Sequence, residues 1–319
     1  MKRIGNIYQK ICNIDNLKLA DKKARKGKHN QYGIQIFDKD RENKLLQLHE
    51  SLVNKTYKTS KYTTFKIYEP KERIVYRLPY FPDRILHHAL MIHLESIFVS
   101  VFTSDSYSCI KGKGIHAASY NLRNALKDES NTTYCLKLDV KKFYPNVSHD
   151  ILKKLLRRKI KDKDLLWLLD EIIDSADGVP IGNYASQYLA NFYLTYFDHW
   201  LKEVKRIKYY FRYADDIVIL SDSKEYLHDI LVDIREYFDK ELKLIIKQNY
   251  QIFPVESRGI DFCGYVHYHE YTRIRKTIKK NFAKKILKTK DRAVISSYNG
   301  WLKHADCKHL SKKLLANAN

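Results

Sequence analysis

The sequence predicts an α+β fold with a mostly antiparallel sheet. Three observations carry that expectation. Short runs rich in aromatic and β-branched residues are bounded by turn signals, longer stretches with helical apolar spacing lie between them, and the two kinds follow one another in mixed order without an internal repeat.

In chain order, residues 1–56 form a basic extension. They combine the cluster Lys22, Lys23, Arg25, Lys26 and Lys28 with a helix expected over 39–53, where Leu45, Leu46, Leu48 and Leu52 share one broad side. Residues 61–68 and 73–80 predict two strands around the turn Glu69-Pro70-Lys71-Glu72, and Asp83 is expected to cap an apolar helix reaching to about residue 101. Over 134–140 a strand points Tyr134, Leu136, Leu138 and Val140 one way and Lys137 and Asp139 the other. Residues 208–220 read as a hairpin with Ala214-Asp215-Asp216 at its tip. Helices are expected over 150–174, 184–205 and 226–242, then short strands near 244–247 and 261–268, then a basic helical C-terminal region. The domain reading is therefore 1–56, 57–268 and a helical 269–319.

Charge narrows the partner. The 319 residues hold 59 Lys and Arg against 37 Asp and Glu, a formal net charge of +22. A polyanion is the first partner to consider, with nucleic acid ahead of an acidic membrane surface and a merely solvated basic surface as the bland alternative. An apolar fraction of 44% fits a globular chain and argues against a disordered basic tail. No stretch approaches the roughly 20 apolar residues of a membrane span, so a cytoplasmic protein without a membrane partner is expected. The five cysteines are scattered and include no C-x-x-C pair; His304, Cys307 and His309 have loose ligand spacing but lack the partner pair of a structural zinc site.

The chemistry sits in two segments, Leu138-Asp139-Val140-Lys141-Lys142-Phe143-Tyr144 and Phe211-Arg212-Tyr213-Ala214-Asp215-Asp216. Each puts a carboxylate at a strand end. If the strands are neighbours, Asp139 and Asp215 converge with Asp216 close by, and such like charges repel unless a cation bridges them. Adjacent aspartates alone would read as an ordinary β-turn; flanking apolar strands and a second strand-end aspartate favour a Mg²⁺ site.

This constellation resembles the palm of a reverse transcriptase. Other segments follow in that family's order: residues 69–79 (EPKERIVYRLP) resemble its fingers, 178–187 (GVPIGNYASQ) its template and nucleotide loop, 262–265 (FCGY) its primer grip and 297–304 (SYNGWLKH) a short thumb. The resemblance spans about residues 57–310 and implies a right-hand polymerase fold with fingers, palm and a short helical thumb. Many family members carry Gln-Gly and a final Ser-Pro in the loop, whereas this chain has Ile181-Gly182 and Ser186-Gln187. That form resembles the enzymes of diversity-generating retroelements, which copy a template-repeat RNA with errors concentrated at adenines, and it also occurs in related bacterial enzymes. Abortive-infection or retron-like defence, and a catalytically silent RNA-binding scaffold, are the alternatives; the intact aspartates oppose the last.

The resemblance implies roles residue by residue. Asp139 and Asp215 would ligate two Mg²⁺ ions, with Mn²⁺ able to substitute, helped by the Val140 carbonyl and by Asp216 as the more peripheral carboxylate. Phe143 and Tyr144 would contact substrate, Tyr144 as the aromatic gate that prefers dNTPs. Lys71 and Arg73 would neutralise the triphosphate. Gly182 would let backbone approach the nascent pair, Ile181 is linked with low fidelity, Gln187 would face the template, and Lys247 would lie near the pyrophosphate or act as generic surface charge. Phe262, Gly264 and Tyr265 would hold the primer end, while Arg273, Arg275, Lys276, Lys279, Lys280, Lys284, Lys285 and Lys288 would track duplex phosphates. His87-His88 reads as structural. The implied partners are template RNA, cDNA primer and product, dNTPs and a small basic helical-bundle accessory protein. No room is expected for an RNase H or integrase module.

Overall fold

The computed structural model describes residues 3–68, 72–286, 291–307 and 309. Lys71 and Lys288 therefore lie outside the described residues. The helices and strands run α1 Tyr8–Cys12, α2 Ile14–Ala24, α3 Tyr32–Asp38, α4 Arg41–Val53, β1 Thr63–Ile67, β2 Arg73–Arg77, α5 Ile85–Val99, α6 Ile115–Ala125, β3 Tyr134–Asp139, α7 His149–Lys159 and α8 Lys163–Ile173. They continue through α9 Tyr184–His199, β4 Tyr209–Tyr213, β5 Asp216–Ser221, α10 Lys224–Tyr237, β6 Gln251–Pro254, α11 Val255–Arg258, β7 Ile260–Phe262, β8 Tyr265–His267, β9 Thr272–Ile274, α12 Lys276–Ile286 and α13 Arg292–Leu302. The expected α+β class with antiparallel sheets is what the chain adopts.

Residues 1–102, 142–197 and 240–244 make one compact unit, and residues 103–141, 198–239 and 245–319 another.

In the first unit α5 is apolar nearly all round, burying Ile85, Leu86, Ala89, Leu90, Met91, Leu94 and Phe98, so it serves as a central helix for its neighbours. The amide of buried Asn16 on α2 donates to Ala89 O at 3.3 Å, and fully buried Asp21 is neutralised by Arg25 at 2.8 Å and Arg41 at 2.9 Å. The basic extension is thus a packed part of this unit. Asp83 does not cap α5: it is fully buried, and its Oδ1 accepts from Tyr57 Oη at 2.7 Å and Ser60 N at 3.0 Å, which holds the side chain away from the helix end. The helix expected over 150–174 is two, since Asp162 accepts from Leu165 N at 3.2 Å and starts a new one. β1 and β2 form a two-stranded ribbon in the register Thr63↔Arg77 to Ile67↔Arg73.

In the second unit a four-stranded sheet has the order β4-β5-β3-β6, every pair antiparallel. One face rests on a core that includes Leu122, Leu126, Cys135, Phe211, Val218, Phe253 and Phe262. A second sheet, β7-β8-β9, leads into α12 and α13, which share an apolar core of Ile274, Phe282, Ile286, Leu302 and Cys307. The segment from residue 269, read as a helical region, opens with a short strand, β9, paired to β8 through Val266↔Arg273, before α12 and α13. Residues 244–247 contribute one isolated bridge, Val140↔Ile246, rather than a strand, and β6 takes the place beside β3.

Candidate active site

β3 and β5 pair in a register that sets Asp139 opposite Asp216 and Lys137 opposite Val218. Directly opposed residues of an antiparallel pair share a face, so both carboxylates and Lys137 stand on one side of the sheet. β4 and β5 meet at Tyr213↔Asp216, leaving Ala214 and Asp215 as a two-residue turn. Ala214 takes the left-handed conformation at φ +54°, which short hairpin turns need and which costs an L-residue of order 1 kcal/mol. That turn carries Asp215 to the end of the sheet.

The electrostatics show how tightly the acids are gathered. Burial, then the charge of Asp139, pushes the Asp215 carboxyl up to about 6. Burial also raises Asp216 to about 6; Lys137 opposes that and Asp139 adds to it. Among the described residues, Asp139 Oδ1 is buried and accepts no hydrogen bond. Two lysines blunt the repulsion. Lys137 Nζ lies 3.4 Å from Asp216 Oδ1, and Lys247 Nζ pairs with Asp139 Oδ2.

Lys247 is brought there by the backbone. Past the end of β6 pairing, Lys141 N donates to Ile245 O at 2.7 Å and Lys247 N to Asp139 O at 2.9 Å. This is the widely spaced hydrogen-bond pattern around Val140↔Ile246, which turns the Val140 carbonyl away from that partner and towards the β5 side.

Among the described residues no group of three or more His, Cys, Asp or Glu side chains is placed to hold a metal ion by itself. The donor set nevertheless fits a hard divalent cation: carboxyls raised by burial and by the nearby charge of Asp139, a buried Asp139 oxygen that accepts no hydrogen bond, and a nearby carbonyl. Magnesium completes such a set with water and substrate oxygens rather than with a full protein cage.

The remaining candidates fall into two groups. In the first unit, Phe143 is buried and its ring meets Tyr144 edge-on at 5.4 Å. Tyr144 O accepts from Val179 N at 2.9 Å, a closeness permitted by Gly178, where a Cβ would fall 2.4 Å from that oxygen. Half-buried Ile181 gives its carbonyl to Tyr76 N at 2.8 Å, and Gly182, at φ +124°, would place a Cβ 2.3 Å from Tyr76 O. The loop 178–187 is therefore stitched to β2, and this packing is a use of Gly182 that sequence reasoning missed. Arg73 starts β2 exposed, and Gln187 is exposed in the first turn of α9.

In the second unit, Cys263 and Gly264 both have positive φ, +51° and +87°, forming the tight turn between β7 and β8. Phe262 and Tyr265 are fully buried on either side, with Tyr265 Oη 3.0 Å from His116 Nδ1 and 3.1 Å from Trp301 O. Their rings build the hairpin's interior, so its exposed asset is the turn. The exposed lysines of α12 lie opposite buried Phe282 and Ile286. His304 stacks on His116 at 4.0 Å and Cys307 is buried.

Sequence reasoning also missed the cluster beneath the turn: Arg212, Asp198, Ser106 and Tyr210, all fully buried. The available signal was a lone arginine inside an aromatic strand, which needs a buried acidic partner.

The family model "Reverse transcriptase (RNA-dependent DNA polymerase)" matches residues 58–267. Protein YkfC of Escherichia coli (strain K12) is 25% identical over 248 residues, covering 63% of this chain and 65% of YkfC. The retron Ec73 reverse transcriptase of Escherichia coli is 26% identical over 226 residues, 63% of this chain and 70% of that protein. Telomerase from Candida albicans, solved with the TWJ fragment of telomeric RNA, superposes with a TM-score of 0.52 at 12% identity over 85% of this chain and 61% of its own, a likeness of fold. The chain thus spans just under two thirds of YkfC and of that telomerase chain.

Proposed function

This chain belongs to the reverse transcriptase family, and from that premise we propose that it is an RNA-directed DNA polymerase whose active centre is the Asp139, Asp215 and Asp216 cluster. The observation that carries the reading is the pairing of Asp139 with Asp216 across β3 and β5, with Asp215 raised by burial and by the charge of Asp139. Asp139, Asp215 and the Val140 carbonyl would hold the divalent ions, with Asp216 more peripheral, and the chemistry supplied there is activation of a primer 3′-hydroxyl and neutralisation of the leaving pyrophosphate. Lys247, already on Asp139, is poised to exchange that carboxylate for a phosphate oxygen as substrate arrives. Arg73 and Lys71 supply charge to the triphosphate, and Tyr144 excludes a 2′-hydroxyl by packing on the sugar. The turn at Cys263 and Gly264 steadies the primer end, and the lysines of α12 follow the phosphates of the RNA–DNA duplex. Positioning and electrostatics, rather than a side-chain nucleophile, account for the acceleration.

The template is proposed to be a repeat RNA of a diversity-generating retroelement, copied with errors at adenines; Ile181-Gly182 and Ser186-Gln187 in the loop support this. An aliphatic side chain at Ile181 offers no hydrogen bond to an incoming nucleotide. Retron-like defence is the second reading, favoured by the match to the retron Ec73 enzyme. Template RNA, primer and dNTPs are partners under either reading, and a small basic helical-bundle protein under the first. Among the described residues no helix is long and apolar enough to cross a membrane. Primer extension on poly(rA)/oligo(dT) with Mg²⁺ or Mn²⁺ tests the chemistry: incorporation by the wild type and none by Asp215→Ala is expected, and equal incorporation by both overturns it. Paired repeats in the flanking DNA that differ mainly at adenines would decide the biology.

A further inference from the structure

On the face of the sheet opposite the carboxylates, the Arg212 guanidinium lies fully buried and directs each edge at a different partner. Nε donates to Asp198 Oδ1 at 2.7 Å and Nη2 to Asp198 Oδ2 at 2.5 Å, a two-pronged pair. Nη2 also reaches Ser106 Oγ at 2.8 Å. Nη1 donates to the carbonyl of Ala214 at 3.1 Å. Asp198 is held in turn by Ser106 Oγ at 2.9 Å and Tyr210 Oη at 2.6 Å. The backbone locks the same group in place, with Arg212 N on Asp105 O at 2.9 Å and Tyr107 N on Arg212 O at 3.0 Å.

The desolvation cost of a buried ion pair can offset its Coulombic gain, so stability alone is a weak account of this one. A further contact leaves the pair and its supports for the turn itself: the bond to Ala214, the left-handed residue immediately before Asp215. We infer that Arg212 is a positioning residue for the metal site: anchored by Asp198, it holds the strained Ala214 peptide in the orientation that delivers the Asp215 carboxylate to Asp139. This deepens the polymerase reading and rests on it. A lysine at this position keeps the charge but cannot engage both Asp198 oxygens and the Ala214 carbonyl from one nitrogen in the same geometry.

The test is Mn²⁺ binding to the full chain, followed by electron paramagnetic resonance without nucleotide or primer, beside kcat and KM for dTTP on poly(rA)/oligo(dT). Arg212→Lys is expected to bind Mn²⁺ about tenfold more weakly and to lose kcat about tenfold or more with little change in KM. Leu126→Ala, a core truncation away from the turn, controls for lost stability and is expected to keep wild-type Mn²⁺ affinity while its melting temperature falls. Arg212→Lys that is folded and binds Mn²⁺ as the wild type does overturns the inference. If that variant fails to fold, Arg212→Met with Asp198→Leu replaces the pair by apolar groups; wild-type Mn²⁺ affinity there overturns the inference equally, and weakened affinity supports it. Wild-type protein that binds Mn²⁺ but incorporates no nucleotide overturns the polymerase reading while leaving the positioning role measurable, and wild-type protein that binds none overturns both.

Discussion

Lys247 grips Asp139 twice, its backbone N–H donating to the Asp139 carbonyl at 2.9 Å while its ammonium sits on the carboxylate. The ammonium therefore occupies one oxygen that a divalent ion would use. Both side chains are about a third exposed, so the ion pair is worth no more than about 1 kcal/mol. Lys247→Met is expected to tighten Mn²⁺ binding by about fivefold through lost competition. It should also lower kcat by about 10- to 100-fold, through loss of the proposed phosphate contact. Calorimetric titration and primer extension on the same preparation check both; weaker metal binding would refute the competition.

Asp215 and Asp139 repel in the absence of metal, and this has a pH signature. The Asp215 carboxyl is raised from 3.8 to about 6 by burial and by Asp139, so its ionisation disfavours the fold. The neutral form's advantage is complete below pH 4 and is lost as pH rises through about 6. In chelator at pH 7.5, Asp215→Asn should be more stable than wild type by about 1–3 kcal/mol, the gap closing below pH 4. Millimolar Mg²⁺ should raise the wild-type melting temperature and leave the variant's nearly unchanged. Incorporation should fall at least about 1000-fold. Thermal melts across pH, with and without metal, read all three.

His87 gives the opposite pH limb. It is buried on α5, neither ring nitrogen has a hydrogen-bond partner among the described residues, and burial lowers it to about 4. An unfolded chain binds this proton near pH 6.5, so the stability that depends on neutral His87 is whole above 6.5 and drains as pH falls towards 4. The span corresponds to about 3 kcal/mol. His87→Leu should flatten that part of the acid limb in urea titrations; an unaltered slope would assign the limb to other groups.

Gly182→Ala should be severely destabilising for a backbone reason. The new Cβ would meet Tyr76 O at 2.3 Å with φ at +124°, so the loop must leave β2 and the bond from Tyr76 N to Ile181 O is lost with it. A cost of about 2–4 kcal/mol is expected in denaturant melts. Because β2 begins at Arg73, KM for dNTP should rise more than kcat falls.

Much of this was legible in the chain, for identifiable reasons. Strict alternation in residues 134–140 put Lys137 and Asp139 on one face, and a tip of Ala214-Asp215-Asp216 between apolar strands gave the hairpin its register. What stayed hidden depends on partners remote in sequence. Asp83 resembles a helix cap until Tyr57 and Ser60 are beside it, and Asp162 breaks a helix whose apolar spacing runs on regardless. The role of Lys247 is set by a single bridge, Val140↔Ile246, too short to leave a strand pattern. Phe262 and Tyr265 advertise an apolar turn, but which way the rings point is decided by His116 and Trp301, contributed by distant segments.

Ile181 offers a test of fidelity separable from folding. Its backbone is placed by the bond from Tyr76 N, and its side chain is only half-buried, so Ile181→Gln should fold with a melting temperature close to wild type. A glutamine amide adds one donor and one acceptor where the isoleucine had neither. If the proposed error-prone copying depends on an aliphatic group at this place, the variant should misincorporate opposite template adenine about tenfold less often, since one hydrogen bond available only to the correct geometry is worth about 1 kcal/mol or slightly more. Sequencing of cDNA made on a defined RNA gives error rates at all four template bases together. A fall confined to adenine would tie low fidelity to this side chain. Equal error spectra for the two proteins would remove Ile181 from the account of fidelity, and with it the main residue-level support for the diversity-generating reading, while the polymerase assignment would stand on the aspartates.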